Sequence, residues 1–152
     1  MKVAIGSDHA GYALKQAVGA ELRRLGHEVV DVGTNSGSES VDYPDYTIPV
    51  AEKVAAGEAE RGVVVCATGI GASIAANKVE GVRASVVTSD ETARLTRQDN
   101  DSNVLALGGR TAPDTAAALE WLRTWLDTPF AGGRHQRRVD KIRDYERQHP
   151  RT

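Results

Sequence analysis

The sequence predicts an α/β protein: a single doubly wound (Rossmann-like), five-stranded parallel sheet with helices on both faces. Two observations carry this. Short apolar, β-branched runs alternate with segments whose apolar residues recur at helical spacing. The central run, Val63-Val64-Val65, lacks polar alternation, the pattern of a strand covered on both faces. Such units connect by right-handed crossovers, and ligands bind outside the carboxyl ends of their strands.

In chain order, Lys2 to Ser7 is the first strand, closed by Asp8-His9-Ala10-Gly11. Leu14, Val18, Leu22 and Leu25 then mark a helix that Gly26 stops. Glu28 to Val32 is the second strand, and a Gly/Ser-rich loop follows from Gly33 to Ser40. Val41-Asp42-Tyr43-Pro44-Asp45-Tyr46 leads into a helix through Val54, with Asp45 as its N-cap. The third strand ends at Cys66, and the turn Thr68-Gly69-Ile70-Gly71 opens a helix running to about Lys78. Arg83 to Thr88 is the fourth strand. Ser89-Asp90-Glu91 begins a helix that ends near Gln98. Asn103 to Leu107 is the fifth strand, closed by Gly108-Gly109-Arg110. Pro113 starts a helix with Leu119, Leu122 and Leu126 on one stripe, and Pro129 ends it. Trp121 and Trp125, one turn apart, read as packing residues.

The last segment, Arg134 to His149, is helical, but its only aliphatics are Val139 and Ile142. So polar a helix docks poorly on its own domain. This C-terminal arm (131–152) is expected to lie across a partner subunit, against the alternative of a solvated surface helix.

Length and composition bound the rest. A chain of 152 residues, 40% hydrophobic and 26% charged, makes one soluble domain over 1–152 and excludes a disordered or fibrous protein. A single cysteine precludes an intrachain disulfide and fits the reducing cytoplasm. No stretch approaches membrane-spanning length, and the apolar run Met1 to Gly6 is too short for a signal peptide, so a cytoplasmic protein without membrane contact is expected. The net charge of −2 is uneven: residues 131–152 carry seven Lys/Arg and three Asp/Glu, or +4, and the remaining 130 carry −6. Such a tail could bind nucleic acid, a phosphorylated ligand or the acidic body of a second copy. With Tyr145 its only aromatic, nucleic acid is not the expected partner.

The chemistry concentrates where the third strand meets its helix. A strand–glycine turn–helix junction gathers backbone N–H groups and the positive end of a helix dipole at one point, which favours a phosphate or a developing oxyanion. Cys66 sits at its rim, where the same dipole favours a thiolate. One thiol beside one oxyanion pocket points to proton transfer next to a carbonyl. The plainer reading is a small buried hydrophobe ending a strand. Neither Gly69-x-Gly71 nor the first strand's Gly6-to-Gly11 turn completes the dinucleotide fingerprint, because Ile74 stands where Gly or Ala is needed. No metal or cofactor is implied, since no His/Cys/carboxylate cluster has ligand spacing.

Five stretches carry a resemblance that covers nearly the whole chain. They are Ser7-Asp8-His9-Ala10-Gly11; Asp42-Tyr43-Pro44; Cys66-Ala67-Thr68-Gly69-Ile70-Gly71 with Ala75-Ala76-Asn77-Lys78; Arg97-Gln98-x-Asn100-Asp101-x-Asn103; and Gly132-Gly133-Arg134-His135-Gln136-x-Arg138-Val139. In this order they resemble the ribose-5-phosphate isomerase B family, which includes galactose-6-phosphate and allose-6-phosphate isomerases. The resemblance implies an aldose–ketose isomerase of a small phosphorylated sugar, of the ribose 5-phosphate ⇌ ribulose 5-phosphate type, working through a cis-enediol(ate). It also implies a homodimer with active sites shared between subunits, and leaves open whether dimers pair into tetramers. Cys66 would be the base that moves a proton between C1 and C2. Backbone amides from Gly69, Ile70, Gly71, Ala72 and Ser73 would stabilise the oxyanion, and Thr68 would bond near the thiol or the reacting oxygens. Asp8 and Tyr43 would hold hydroxyls, and Asn100 of the other subunit a sugar oxygen. His9, Arg110, Arg134, His135 and Arg138 are the candidates for the phosphate, because guanidinium forks match its geometry. Plainer roles are a helix cap for Asp8 and surface charge for the arginines.

Two departures matter. Members that use a glutamate base carry it where this chain has Ala72, so this chain fits the cysteine type. The family pattern reads Arg-Gln-His-Asn, with the histidine assisting ring opening; here Asp99 occupies that place. A histidine, with an ordinary pKa of about 6.5, both takes and gives a proton near neutrality, which an aspartate does poorly. With ribose 5-phosphate as the substrate, Asp99 as a catalytic residue, or water, would serve the ring; erythrose 4-phosphate, which closes no furanose, is the alternative substrate, with erythrulose 4-phosphate as product. A non-catalytic sugar-phosphate sensor on the same fold is the reading from another class.

Overall fold

The computed structural model describes residues 1–150, in the order β1 (Lys2–Ser7), α1 (Tyr12–Arg24), β2 (Glu28–Asp31), α2 (Pro44–Ala55), β3 (Arg61–Cys66), α3 (Ile70–Ala76), β4 (Ala84–Val86), α4 (Asp90–Asn100), β5 (Val104–Gly108), α5 (Thr115–Asp127) and α6 (Arg134–Gln148). The five strands form one parallel sheet in the order β2-β1-β3-β5-β4. The winding reverses between β1 and β3, so the loops at their carboxyl ends flank the crevice where such sheets bind ligands.

Alternation along the strands splits the core into two layers. Val3, Ile5, Val63, Val65, Leu105 and Leu107 pack under α1 and α5, against Leu14, Val18, Leu22 and Leu122. Ala4, Val64, Cys66, Val104 and Ala106 face α2 and α3, with small partners such as Ala51, Ala72 and Ala76 that let those helices approach closely. Trp121 and Trp125 belong to the first layer as expected, and the Trp125 indole donates to Ser102 Oγ at 2.9 Å.

Several boundaries differ from the sequence expectation, each for a local reason. α2 starts at Pro44, whose fixed φ suits a first helical position, so Tyr43 is the N-cap and Asp45 sits inside the first turn. α3 stops at Ala76 because the Asn77 side chain bonds Ala84 N–H and C=O (2.7 and 2.9 Å), pulling the chain toward β4. β4 is only three residues long: Arg83 ahead of it is engaged with the end of α4, and Ser89 beyond it caps α4 through a capping box with Thr92. α4 continues past Gln98 to Asn100 and ends at Asp101 in the left-handed conformation (φ 49°). α5 is capped by Asp114 rather than opened by Pro113.

The polar α6, expected to dock poorly on its own domain, does pack on its own chain. Val139 is buried, Glu146 accepts the Gly81 N–H (2.9 Å), and the Ala131 N–H donates to the Gln98 carbonyl (3.0 Å). One valine and a few polar tethers suffice. Ile142 and Tyr145 stay exposed. Among the described residues no helix is long and apolar enough to cross a membrane.

Candidate active site

Four loops, those after β1, β2, β3 and β5, meet at the carboxyl edge of the sheet. β3 ends at Cys66, which is buried and faces the α2/α3 layer. The chain turns through Gly69 at φ 80°, a conformation that glycine adopts at little cost; a Cβ there would stand 3.0 Å from the Leu107 carbonyl carbon. This turn aims the Gly69 N–H at Cys66 Sγ, 3.2 Å away, a bond that a thiolate accepts better than a thiol. Ile70 N–H donates to Thr68 Oγ1 (3.2 Å) and Ser73 N–H to the Gly69 carbonyl (3.0 Å), while Ser73 Oγ is spent on the Ile70 carbonyl (2.8 Å). The N–H groups of Gly71 and Ala72, between them, have no acceptor among the described residues.

The other loops are tied to this turn. Asp8 N–H donates to the Val65 carbonyl (3.3 Å), and Asp8 Oδ1 accepts the Gly11 N–H (2.9 Å). Asp8 thus closes the turn ahead of α1 rather than capping the helix, whose N-cap is Gly11 with no side-chain cap bond, and its Oδ2 has no partner among the described residues. His9 Nδ1 accepts the Val41 N–H (3.1 Å), which assigns the proton of a neutral ring to Nε2 and leaves it as a donor. Gly109 N–H reaches the Cys66 carbonyl (2.8 Å) and Arg110 N–H the Ala67 carbonyl (2.9 Å), so exposed Arg110 emerges beside Thr68. The Tyr43 ring covers the turn: a Cβ on Gly71 would lie 2.5 Å from its Cζ. This edge thus gathers Asp8, His9, Tyr43, Cys66, Thr68, Gly69 to Ser73, and Arg110.

Asp99, Asn100, Arg134, His135 and Arg138 lie at the opposite, amino edge. α4 ends there, and the Gly62 N–H at the start of β3 donates to the Asn103 carbonyl (2.9 Å). An arginine clamp fixes this corner; the sequence marked Arg97 and Asp101 only as part of the resemblance, and gave no signal for Arg61 and Arg83. Arg97 Nη1 donates to Asp101 Oδ1 (2.8 Å) and the Ser102 carbonyl (2.6 Å). Arg83 holds the Asn100 and Asp101 carbonyls through Nε (both 3.1 Å). Arg61 bonds the carbonyls that end α5 (3.0 and 3.3 Å); burial, then the nearby Arg97 charge, push it down to about 10, so it remains charged at neutral pH. Gly132 and Gly133, at φ 65° and 56°, turn the chain so that the first turn of α6 meets the last turn of α4. There His135 Nε2 comes to 3.4 Å from Asp99 Oδ1, an ion-pair distance without hydrogen-bond geometry, and Asp99 Oδ1 accepts from Gln98 Nε2 (3.3 Å). Arg134 and Arg138 are exposed, one turn apart on α6.

The candidates therefore form two half-sites. β3 runs from one edge at Arg61 to the other at Cys66, five steps of ~3.3 Å, or about 17 Å. Within one chain Asn100 does not reach the thiol. A groove of about 690 Å³ lies on the amino side between α6 and β4, lined by Val82, Arg83, Asn100, Ile142 and Tyr145. Near the other half-site Ile70 and Ile74 of α3 are more than half exposed.

Comparisons with known proteins identify the family and the fold. The model of the family described as Ribose/Galactose Isomerase matches residues 3–142. The chain is 48% identical over 141 residues to ribose-5-phosphate isomerase B of Escherichia coli, covering 93% of each. The structure of ribose-5-phosphate isomerase B from Clostridium thermocellum superposes with a TM-score of 0.94 at 51% identity, over 98% of this chain and 99% of that one. That of ribose-5-phosphate isomerase B from Mycoplasma genitalium with bound ribulose-5-phosphate gives 0.93 at 40% identity, over 97% of each chain.

Proposed function

Because the chain belongs to the ribose/galactose isomerase family, we propose that it interconverts an aldose phosphate and a ketose phosphate, with ribose 5-phosphate and ribulose 5-phosphate as the pair. One observation carries the reading: the Cys66 thiol lies under the Gly69 N–H, beside first-turn amides of α3 that have no other acceptor. A proton next to a carbonyl becomes removable when the charge growing on oxygen is met by fixed donors, each worth about 3–4 kcal/mol in comparable sites.

In this reading Cys66 lifts the C2 proton of the open-chain aldose, and the electron pair moves through C1 to O1 against the Gly71 and Ala72 amides. The resulting cis-enediolate takes the proton back from sulfur at C1. The O2 proton passes to O1, and Thr68, whose oxygen already accepts from Ile70, has its hydroxyl hydrogen free to serve that exchange. Asp8 and Tyr43 hold hydroxyls of the chain. His9, through Nε2–H, and Arg110 meet the phosphate on this edge, and Arg134 and Arg138 arrive from a second subunit with Asn100. The edge-to-edge separation supports a shared site, and the exposed Ile70, Ile74, Ile142 and Tyr145 supply apolar surface for a two-fold dimer.

Incorporation of solvent deuterium at C2 of aldose phosphates, and at C1 of the ketoses, tests the proposal across tetrose, pentose and hexose phosphates. Exchange with pentose phosphates that disappears in Cys66→Ala is expected. Binding without exchange would make the protein a sensor. A higher kcat/KM for erythrose 4-phosphate would move the substrate to the tetroses, the case in which Asp99 faces no ring.

A further inference from the structure

Ring-closing substrates raise a question that Asp99 leaves unanswered. Ribose 5-phosphate is mostly a furanose, and the enediol chemistry needs its open chain. The aspartate at 99 is a poor proton donor, yet it does not stand alone. Its Oδ1 is 3.4 Å from His135 Nε2, and the imidazole is largely enclosed, its side chain only 13% exposed. The backbone that carries it is held on approach: the Ala131 N–H bonds the Gln98 carbonyl, and the Gly132–Gly133 turn sets the first turn of α6. Gln98 Nε2 steadies the carboxylate from the other side at 3.3 Å. In the neutral tautomer with its hydrogen on Nε2, the nitrogen nearer the carboxylate, the lone pair lies on Nδ1, which has no partner among the described residues.

We propose that His135 is the proton carrier for opening the sugar ring in the site that this edge completes, and that Asp99 is its positioning residue. The inference deepens the proposed function and rests on it. His135 Nδ1 takes the hydrogen of the anomeric hydroxyl, the C1=O bond forms, and the bond from C1 to the ring oxygen breaks with its pair going to that oxygen. The imidazolium then returns the hydrogen to the ring oxygen. Both oxygens hang on C1, so one nitrogen serves both, and no oxidant or further reactant is consumed. The carboxylate is matched to the charge the ring carries between the two transfers. The dyad sits directly beside Asn100, on the corner clamped by Arg83 and Arg97, so its position is as fixed as the sheet edge.

The two directions of the reaction separate this role from binding. Ribulose 5-phosphate has O5 esterified and forms no furanose, so solvent deuterium enters its C1 without any ring opening. His135→Ala is expected to lower kcat for ribose 5-phosphate by about 100-fold or more, the usual size of general acid–base assistance, while C1 exchange into ribulose 5-phosphate falls less than about threefold. Asp99→Asn should show the same split more weakly, and Asp99→His should recover ribose turnover. His135→Gln, which keeps most of the packing, stands in if the alanine variant does not fold. Parallel loss of turnover and exchange would make His135 a phosphate or structural residue and overturn the proposal, as would turnover near the native value. Native protein lacking both signals would refute the isomerase reading itself, a result distinct from either.

Discussion

Mixing two inactive chains should restore activity, because the half-sites lie at opposite ends of one sheet. The perturbations are Cys66→Ala, which removes the proposed base at the carboxyl edge, and Arg138→Ala, which removes a proposed phosphate contact at the amino edge. Five residue steps of β3 put these edges about 17 Å apart, so in the proposed site neither chain alone supplies both residues. In a one-to-one mixture after random exchange, half the dimers are mixed. Each mixed dimer has one site with both defects and one with neither, so a quarter of all sites are native. A hydrogen bond to a charged group contributes about 1.5–3 kcal/mol, so Arg138→Ala homodimers retain at most about a tenth of native kcat/KM and add little to that quarter. The assay is initial rate at substrate well below KM, before and after subunit exchange followed by native mass spectrometry. Rates that stay at the average of the two parents, with mixed dimers present, would refute the shared site.

Other outcomes follow from the same geometry. Cys66→Ala should lose at least about three orders of magnitude in kcat with its fold intact by circular dichroism, and Cys66→Ser little less, since a hydroxyl is far less acidic. Gly69→Ala and Gly57→Ala both force alanine into a left-handed turn (φ 80° and 76°), at ~1–2 kcal/mol, but only at Gly69 does the new methyl meet backbone at 3.0 Å. Calorimetry should show a drop for Gly57→Ala of a few degrees, a larger one for Gly69→Ala, and loss of turnover for the latter alone. Removing residues after Phe130 should raise KM sharply and weaken dimerisation in analytical ultracentrifugation, because Arg134 and Arg138 leave with the arm. Glu21 gives the acid limb: its bond to Arg24, and after that to Arg123 at 2.6 Å, holds its carboxyl below the ordinary 4.5 against the opposing effect of burial. The stability this contributes is present above the ordinary value and lost as pH falls through the depressed one. The melting temperature of Glu21→Gln should therefore decline less steeply than that of native protein below about pH 4.5.

Much of this was legible in the chain itself, and the limits are physical. Val63-Val64-Val65 and its neighbours marked a parallel sheet because full burial suppresses polar alternation, and Gly69 and Gly71 marked the turn because the close approach of Leu107 and Tyr43 leaves no room for side chains. Strand ends were less legible. The shortness of β4 depends on Arg83 being occupied elsewhere, by carbonyls that only the fold brings near it. α6 was misjudged because a sum over its residues misses one valine in the right place. The separation of Asp99 and Asn100 from Cys66 follows from helix direction and strand order, and the pairing of Asp99 with His135 from a two-glycine turn between remote segments. Neither leaves a periodic or compositional trace.

The strand order also governs when a growing chain acquires its thiol centre. β4 has one neighbour, β5, so residues 84–86 have no place in the sheet until residues 104–108 exist. The Cys66 and Ala67 carbonyls wait longer still, for the amides of Gly109 and Arg110. A chain halted after residue 100 would hold β2, β1 and β3 with the whole Val63–Val65 edge unpaired, a template for joining another such fragment. Interrupted synthesis of this protein thus leaves an aggregation-prone remnant with an unformed Cys66 turn; β5 covers the open edge, and the two residues after it complete the turn.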